Sequence, residues 1–184
     1  MRSMYKIRLN DKKTFFSKIK SYCLYQRAFP KEEKKPYWLI RKVEQSGFGK
    51  NYIIETDEGD FRGIAYTITN GDYVLLDYFA VDEKYRGSGI GANALQCLME
   101  QFKETPIVVE IENPDISCDN REQRKRREQF YIRCGMKRMN YHISLFGVDM
   151  CILTSGEEIS FERYHAMLYQ VFGESFSQNI ELLL

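Results

Sequence analysis

The stretch that most restricts this chain lies between residues 73 and 102, where "YVLLDYFAV" passes through "DEKY" into "RGSGIG" and then into a helical pattern. The first segment is an almost unbroken apolar run, as a buried strand requires, with Asp77 as its one charged residue. Behind the glycines, Ile90, Ala94, Leu98 and Phe102 recur every fourth residue, with Leu95 and Met99 beside them, and form the apolar stripe of a helix. Between the two, Gly87, Gly89 and Gly91 follow Arg86 directly, with Ser88 and Ile90 interleaved. Glycine loses more backbone entropy on folding than any other residue, so this clustering needs a reason. The loop opens a helix, where unpaired N–H groups and the positive dipole end favour an anion. Arg86 adds a permanent cation at the same place. A phosphate group is the occupant these features predict.

The remaining elements fit around that unit. "YKIRL" reads as a short opening strand, after which Asn10 or Asp11 caps a helix to about Ala28, with Phe15, Ile19 and Cys23 on one face. Pro36 suits the first turn of a second helix, with Gly47 past its end. "NYIIET", a turn at "DEGD" and "FRGIAYTIT" form a hairpin, and Asn70-Gly71 marks a second tight turn. Beyond the glycine loop and its helix, "PIVVEIE" is a buried strand. Asp119 and Glu122 make a capping box for a long charged helix that reaches "FYIRC" and stops at Gly135. "NYHISLF" and "VDMCILT" are two further strands. Ser160 caps a last helix, with Phe161, Tyr164, Leu168, Val171 and Phe172 on one side. The order predicts a mixed α/β (α+β) protein, a mostly antiparallel twisted sheet of about six to seven strands flanked by helices. With no repeat or low-complexity linker, residues 1–184 are expected to form a single domain.

Composition removes several function classes. A net charge of +1 gives no global pull toward nucleic acid or anionic membrane, so neither is an expected partner. The start, "MRSMYKIRLNDKK", lacks the apolar core of a signal peptide, and no apolar run approaches the roughly 18 residues of a membrane span. Cys23, Cys97, Cys118, Cys134 and Cys151 are scattered without a CxxC pair, which predicts reduced thiols in a cytoplasm. His142 and His165 lie on separate elements with no evident cysteine partner, so neither a metal site nor a cysteine nucleophile is expected.

The phosphate ligand has two familiar candidates that the context opposes. Gly87-Ser88-Gly89-Ile90-Gly91-Ala92 fits the G-x-G-x-x-G/A form of the dinucleotide fingerprint, with Glu110 about 20 residues on. In that fold the strand runs almost straight into the first glycine, whereas here "DEKYR" intervenes. Parallel βαβ units should also follow, yet about 80 residues precede the loop and a strand-rich tail succeeds it. A Walker A loop is excluded because no Gly-Lys-Ser/Thr follows.

Arg86-x-x-Gly89-x-Gly91, behind "LLDYFAV" and ahead of an amphipathic helix, resembles the acyl-CoA signature R/Q-x-x-G-x-G/A of the GNAT family of N-acetyltransferases. "EQFYIRCGMKR" resembles that family's FYxxxGF helix end, with Met136 where Phe is usual. The resemblance extends from about Tyr52 to Leu153. It implies an acceptor-side helical region over 1–50, the sheet and acetyl-CoA site over 51–153, and a C-terminal helix over 154–184. It also implies acetyl-CoA as co-substrate and direct attack by a primary amine in a ternary complex. The alternative is a non-catalytic CoA- or acyl-CoA-binding module of the same fold. The sheet would splay between "YVLLDYFAV" and "PIVVEIE", and the pantetheine arm would bond to backbone near Phe79, Ala80 and Val81 as an added strand does. The pyrophosphate would meet the N–H groups from Gly87 through Gly91.

Acetyl transfer from a thioester needs an uncharged amine, a donor for the developing oxyanion and a proton for the departing thiolate. Asp77, polar within an apolar strand, is one candidate base, since burial raises a carboxyl pKa. Glu110 and Glu112 alternate on one side of "VVEIEN" and are its rivals; either could instead pair with an arginine of the next helix. Tyr131 occupies the tyrosine position of FYxxxGF, and the resemblance implies that it protonates the thiolate. The basic run around Arg121, Arg124, Lys125, Arg126 and Arg127 is diluted by Glu122 and Glu128 and reads as a solvated face, with a CoA phosphate contact as a further option. "FPKEEKKPYW" falls where the family forms its acceptor wall, and Glu32 and Glu33 there could attract a cationic amine. The acceptor's identity is open, and a homodimer is among the assemblies left open.

Overall fold

The computed structural model describes residues 6–12, 14–31 and 33–183. The chain divides into two compact units, one from Met1–Ile68 with Leu76–Gln101, the other from Thr69–Leu75 with Phe102–Leu184. The strands follow in the order β1-β2-β3-β4-β5-β7-β6-β8 within one sheet. These are β1 (Ile7–Asn10), β2 (Gly49–Thr56), β3 (Phe61–Thr69), β4 (Val74–Val81), β5 (Ile107–Glu112), β6 (Lys137–Leu145), β7 (Val148–Thr154) and β8 (Ile180–Leu183). Eight strands are one more than the upper expectation, and β8 is the addition. Its four residues are too few to show a period, and only antiparallel pairing with β6, from His142↔Leu183 to Leu145↔Ile180, makes them a strand.

In the first unit, β1, β2 and β3 form antiparallel ladders, Ile7 opposite Thr56 and Gly49 opposite Ile68, with a bulge between Ile54 and Glu55. Two helices, α1 (Phe15–Ala28) and α2 (Tyr37–Gln45), precede β2, and α3 (Ile90–Gln101) follows β4. Ile90, Ala94, Leu95 and Leu98 of α3 are buried, so its predicted stripe is the stripe it hides. Cys97 Sγ donates to the Ile7 carbonyl at 3.4 Å, and Gln101 Nε2 donates to the Tyr52 hydroxyl at 2.6 Å, tying α3 to the strands.

The first helix departs from expectation in two ways. Thr14 caps it, accepting from the Ser17 N–H at 3.2 Å. Asn10 instead ends β1 and donates to Glu55 at 2.9 Å, while Asp11 pairs with Lys50 at 2.7 Å. Its buried residues are Ser21, Leu24 and Tyr25; Phe15, Ile19 and Cys23 face outward. Periodicity identifies an apolar face but not what lies against it.

In the second unit, β4 contributes only its first two residues, parallel to β5 as Val74↔Ile107 and Leu75↔Val108. β5 runs antiparallel to β7, and β7 to β6 through a tight turn at Phe146 and Gly147, both with positive φ. The charged helix α4 (Arg121–Arg133) buries only Tyr131. The Asp119–Glu122 capping box does not form. Asn120 is the N-cap without a side-chain bond to the helix backbone, because its amide oxygen accepts from Arg124 and its amide nitrogen donates to Glu112. Ser160 caps α5 (Phe161–Phe172) as expected, accepting from Arg163 N–H at 3.4 Å, and Tyr164, Met167 and Leu168 are its buried residues. Gly173, at φ +83°, ends that helix, and the short α6 (Glu174–Ser177) precedes β8. Among the described residues no helix is long and apolar enough to cross a membrane.

Candidate active site

The glycine loop takes its shape from both ends. At the end of β4, Asp82 Oδ1 accepts from the Lys84 N–H and opens a 3-10 turn over Glu83–Tyr85. Ser88 Oγ donates to the Tyr85 carbonyl at 2.5 Å, and Ile90, buried, anchors the start of α3. Gly87 and Gly89 lie between at φ +75° and +87°, where a side chain is strained, and no heavy atom stands within 4 Å of where either Cβ would be. The loop leads into a helix start with open space at both glycines, and the first N–H groups of a helix have no partner within it. Arg86 is exposed; its Nε donates to the Val81 carbonyl at 3.2 Å and its guanidinium lies 3.6 Å from Glu83. Phe79, Ala80 and Val81 lead into this loop, so the cofactor-binding residues expected from sequence form one continuous segment that runs on through Arg86, Gly87, Ser88, Gly89, Ile90 and Gly91. Space, donors and cation suit a pyrophosphate.

Gly63 belongs to the same place, although the sequence reading assigned it no role. A Cβ there would stand 2.3 Å from the Ala80 carbonyl oxygen and 3.1 Å from the Val81 Cα. Only glycine lets β3 approach the end of β4 this closely. An isolated glycine inside a strand pattern is the signal that marks it.

Asp77 is held rather than free on one side. Lys35 Nζ lies 2.6 Å from its Oδ1, the Asp77 side chain is only 3% exposed, and Oδ2 is buried with no hydrogen-bond partner. Lys35 also lies over the Tyr78 ring, 5.4 Å from its centroid. Lys35 comes from the α1–α2 connection, and its pairing with a strand residue 42 positions away left no mark in the sequence. Glu32, in the same connection, lies outside the described residues.

Tyr131, Glu110 and Glu112 belong to the second unit. Tyr131 is 5% exposed, and burial pushes its hydroxyl pKa up, against the lowering effect of Arg127 beside it. It therefore keeps its proton at neutral pH, the state a general acid must occupy. Glu112 pairs with Arg124 at 2.8 Å and accepts from Asn120 at 3.2 Å, the helix-arginine pairing noted as its other role. Glu110 accepts from the Tyr164 hydroxyl. The β6–β7 register places Cys151 opposite His142, with Sγ 3.9 Å from Nε2, a proximity the sequence did not reveal. Cys151 is fully buried, and burial raises its thiol to about 11, so it is not a nucleophile at neutral pH. Among the described residues no three ligating side chains gather as a metal site.

The strand–turn–helix with its two positive-φ glycines and Arg86 lies within the span that a known family shares with this chain. The acetyltransferase (GNAT) family model matches residues 19–136, more than half of the chain, and the chain belongs to that family. It is an acetyltransferase of the GNAT type. No curated protein matches it in sequence. Among solved structures it is similar to a Bacteroides thetaiotaomicron protein assigned to the GNAT family, at TM-score 0.72 and 23% identity, covering 91% of this chain and 99% of that one. It is also similar to the Escherichia coli ribosomal-protein-S18-alanine N-acetyltransferase, at TM-score 0.59 and 17% identity over 84% and 99%. A Bacillus subtilis acetyltransferase in complex with CoA gives TM-score 0.57 and 17% identity, again over 84% and 99%. At these identities the likeness is one of fold.

Proposed function

We propose that the protein transfers the acetyl group of acetyl-CoA to a primary amine by direct attack, without an acetylated enzyme. The observation that carries this is the open glycine loop, with two positive-φ glycines beside Arg86 at the start of α3. Phe79, Ala80 and Val81 offer backbone to the pantetheine amides, and Gly63 keeps that strand end clear of side chain. The loop N–H groups and Arg86 hold the pyrophosphate. Asp77 Oδ2, the buried and unpartnered oxygen of a carboxylate anchored by Lys35, accepts the proton an ammonium must lose before it attacks. The nitrogen–carbon bond then forms, the carbon–sulfur bond breaks, Tyr131 gives its proton to the departing thiolate, and the new amide nitrogen loses its second proton to solvent, from which Tyr131 is reprotonated. Glu112, held by two donors, is the weaker candidate for base. The whole chain acts as a single acetyltransferase domain in this reading, and the five free cysteines suit a cytoplasmic protein.

Thermal unfolding tests it. Acetyl-CoA and CoA are expected to raise the melting temperature by mass action, with NAD and ATP leaving it unchanged. Thiol release from acetyl-CoA with a panel of amines then separates an enzyme from a module that only binds. Equal stabilisation by NAD would contradict the proposal.

A further inference from the structure

The net charge of +1 is a sum over two very unequal stretches. Residues 1–45, through the end of α2, hold 13 Lys and Arg against 4 Asp and Glu, while the remaining residues hold 14 against 22. Within the first stretch, α1 has Lys18, Lys20 and Arg27 and no acidic residue. Arg27 is paired with Asp82 at 3.5 Å, whereas Lys18 and Lys20 are exposed and have no ion-pair partner among the described residues. A charge division of this kind points to a polyanionic partner.

The same helix carries an apolar ridge on its outer side. Phe15, Phe16, Ile19 and Tyr22 are exposed, opposite the buried Ser21, Leu24 and Tyr25. The Tyr22 ring meets Tyr37 of α2 edge-on, 5.0 Å between centroids, and the ridge runs on to Trp38. Phe15, Phe16 and Trp38 are 72%, 74% and 66% exposed, so three large rings stand in water with nothing among the described residues to cover them. At about 100° per residue, Lys18 falls on one side of the ridge and Lys20 on the other. Lysines so placed lay their apolar stems along a surface and keep their charges at its edge.

An apolar, aromatic face flanked by lysines and free of carboxylates is the make-up of a helix that lies in a lipid headgroup layer. Two other partners fit less well. Single-stranded nucleic acid is held in a basic groove with aromatic stacking platforms, whereas this ridge is the outer face of a helix and has Ile19, without a ring, within it. A second copy seated ridge to ridge would set two basic stretches against each other.

We propose that the outward face of α1, continued by Tyr37 and Trp38, docks on an anionic lipid bilayer, its rings entering the headgroup layer and Lys18 and Lys20 meeting the lipid charges. The docking does not depend on the acetyl-transfer reading.

Trp38 is the chain's single tryptophan, so its fluorescence reports on the ridge directly. Vesicles of phosphatidylcholine with about one third phosphatidylserine are expected to shift its emission to the blue and to saturate, with phosphatidylcholine alone at least about tenfold weaker. Phe15→Ser combined with Phe16→Ser is expected to weaken binding at least about tenfold at an unchanged melting temperature, since both rings already stand in water. Lys18→Gln combined with Lys20→Gln is expected to weaken it on the order of twentyfold, about fivefold for each charge near an anionic surface. Both variants keep Trp38 as the reporter. No blue shift with the phosphatidylserine vesicles, equal affinity for neutral vesicles, or unchanged affinity in both variants would overturn the docking. Quenching of Trp38 by a single-stranded RNA, without a response to vesicles, would overturn it in favour of nucleic acid. A dimer in sedimentation that Phe15→Ser with Phe16→Ser dissolves, again without a response to vesicles, would overturn it in favour of a second copy.

Discussion

Tyr131 poses the sharpest question at the scale of a residue, because a buried tyrosine can serve packing or chemistry. Tyr131→Phe keeps the ring and deletes the proton, so the two roles separate. General acid catalysis is worth about 10²–10⁴-fold, and kcat is expected to fall within that range while acetyl-CoA affinity holds. A change of less than about threefold, with chemistry rate-limiting, would assign Tyr131 to packing. Asp77 illustrates a different point. Its position in an apolar strand marked it as unusual, and the structure adds the reason it is tolerated there: Lys35 pairs with one oxygen and leaves the other buried and without a hydrogen-bond partner.

Among the elements, the β3–β4–loop–α3 segment concentrates the constraints. Gly89 sits at φ +87°, so Gly89→Val strains the turn and brings a branched side chain to the loop. CoA affinity is expected to drop much further than the melting temperature, as measured by calorimetry alongside thermal unfolding. Gly63→Ala acts from the strand side. Its Cβ would meet the Ala80 carbonyl at 2.3 Å, and backbone cannot rotate away as a side chain can. A stability loss of about 1–3 kcal/mol is expected from urea unfolding, together with weaker CoA binding as the end of β4 shifts. Unaltered stability in this variant would mean that β3 can move aside without consequence.

Across the whole molecule, tyrosine is the residue that ties stability to pH. Burial raises the hydroxyls of Tyr25, Tyr66, Tyr73, Tyr131 and Tyr164 above the ordinary 10.0, and Tyr141 rises to about 12. A raised folded-state value means that the native protein holds these protons more tightly than the unfolded chain. The stabilisation is complete below pH 10 and is lost as pH climbs from there toward 12 and beyond. Urea midpoints followed from pH 8 to pH 12 are expected to stay level to about pH 10 and then fall. Tyr141→Phe is expected to make the fall shallower, and a flat profile to pH 12 in the unmodified protein would contradict the burial argument.

Local order was legible in the amino-acid sequence wherever the signal was itself local. The glycine loop, the stripe of α3, the Ser160 cap and the hairpins follow from spacing, propensity and turn chemistry, which act over a few residues. The loop proposed for the acyl-CoA phosphates is local in the same sense, since a helix start, three glycines and an arginine are adjacent along the chain. Tertiary structure decided everything that depends on partners distant in sequence. It turned Phe15 and Ile19 outward, made a strand of Ile180–Leu183, brought Lys35 to Asp77, and set Cys151 beside His142. It also enclosed Asn51 among tyrosines from two helices and two strands. Periodicity records that a residue is apolar or polar, but burial and pairing are properties of what the folded chain places opposite it, and that is fixed only when the whole sheet and its helices have closed.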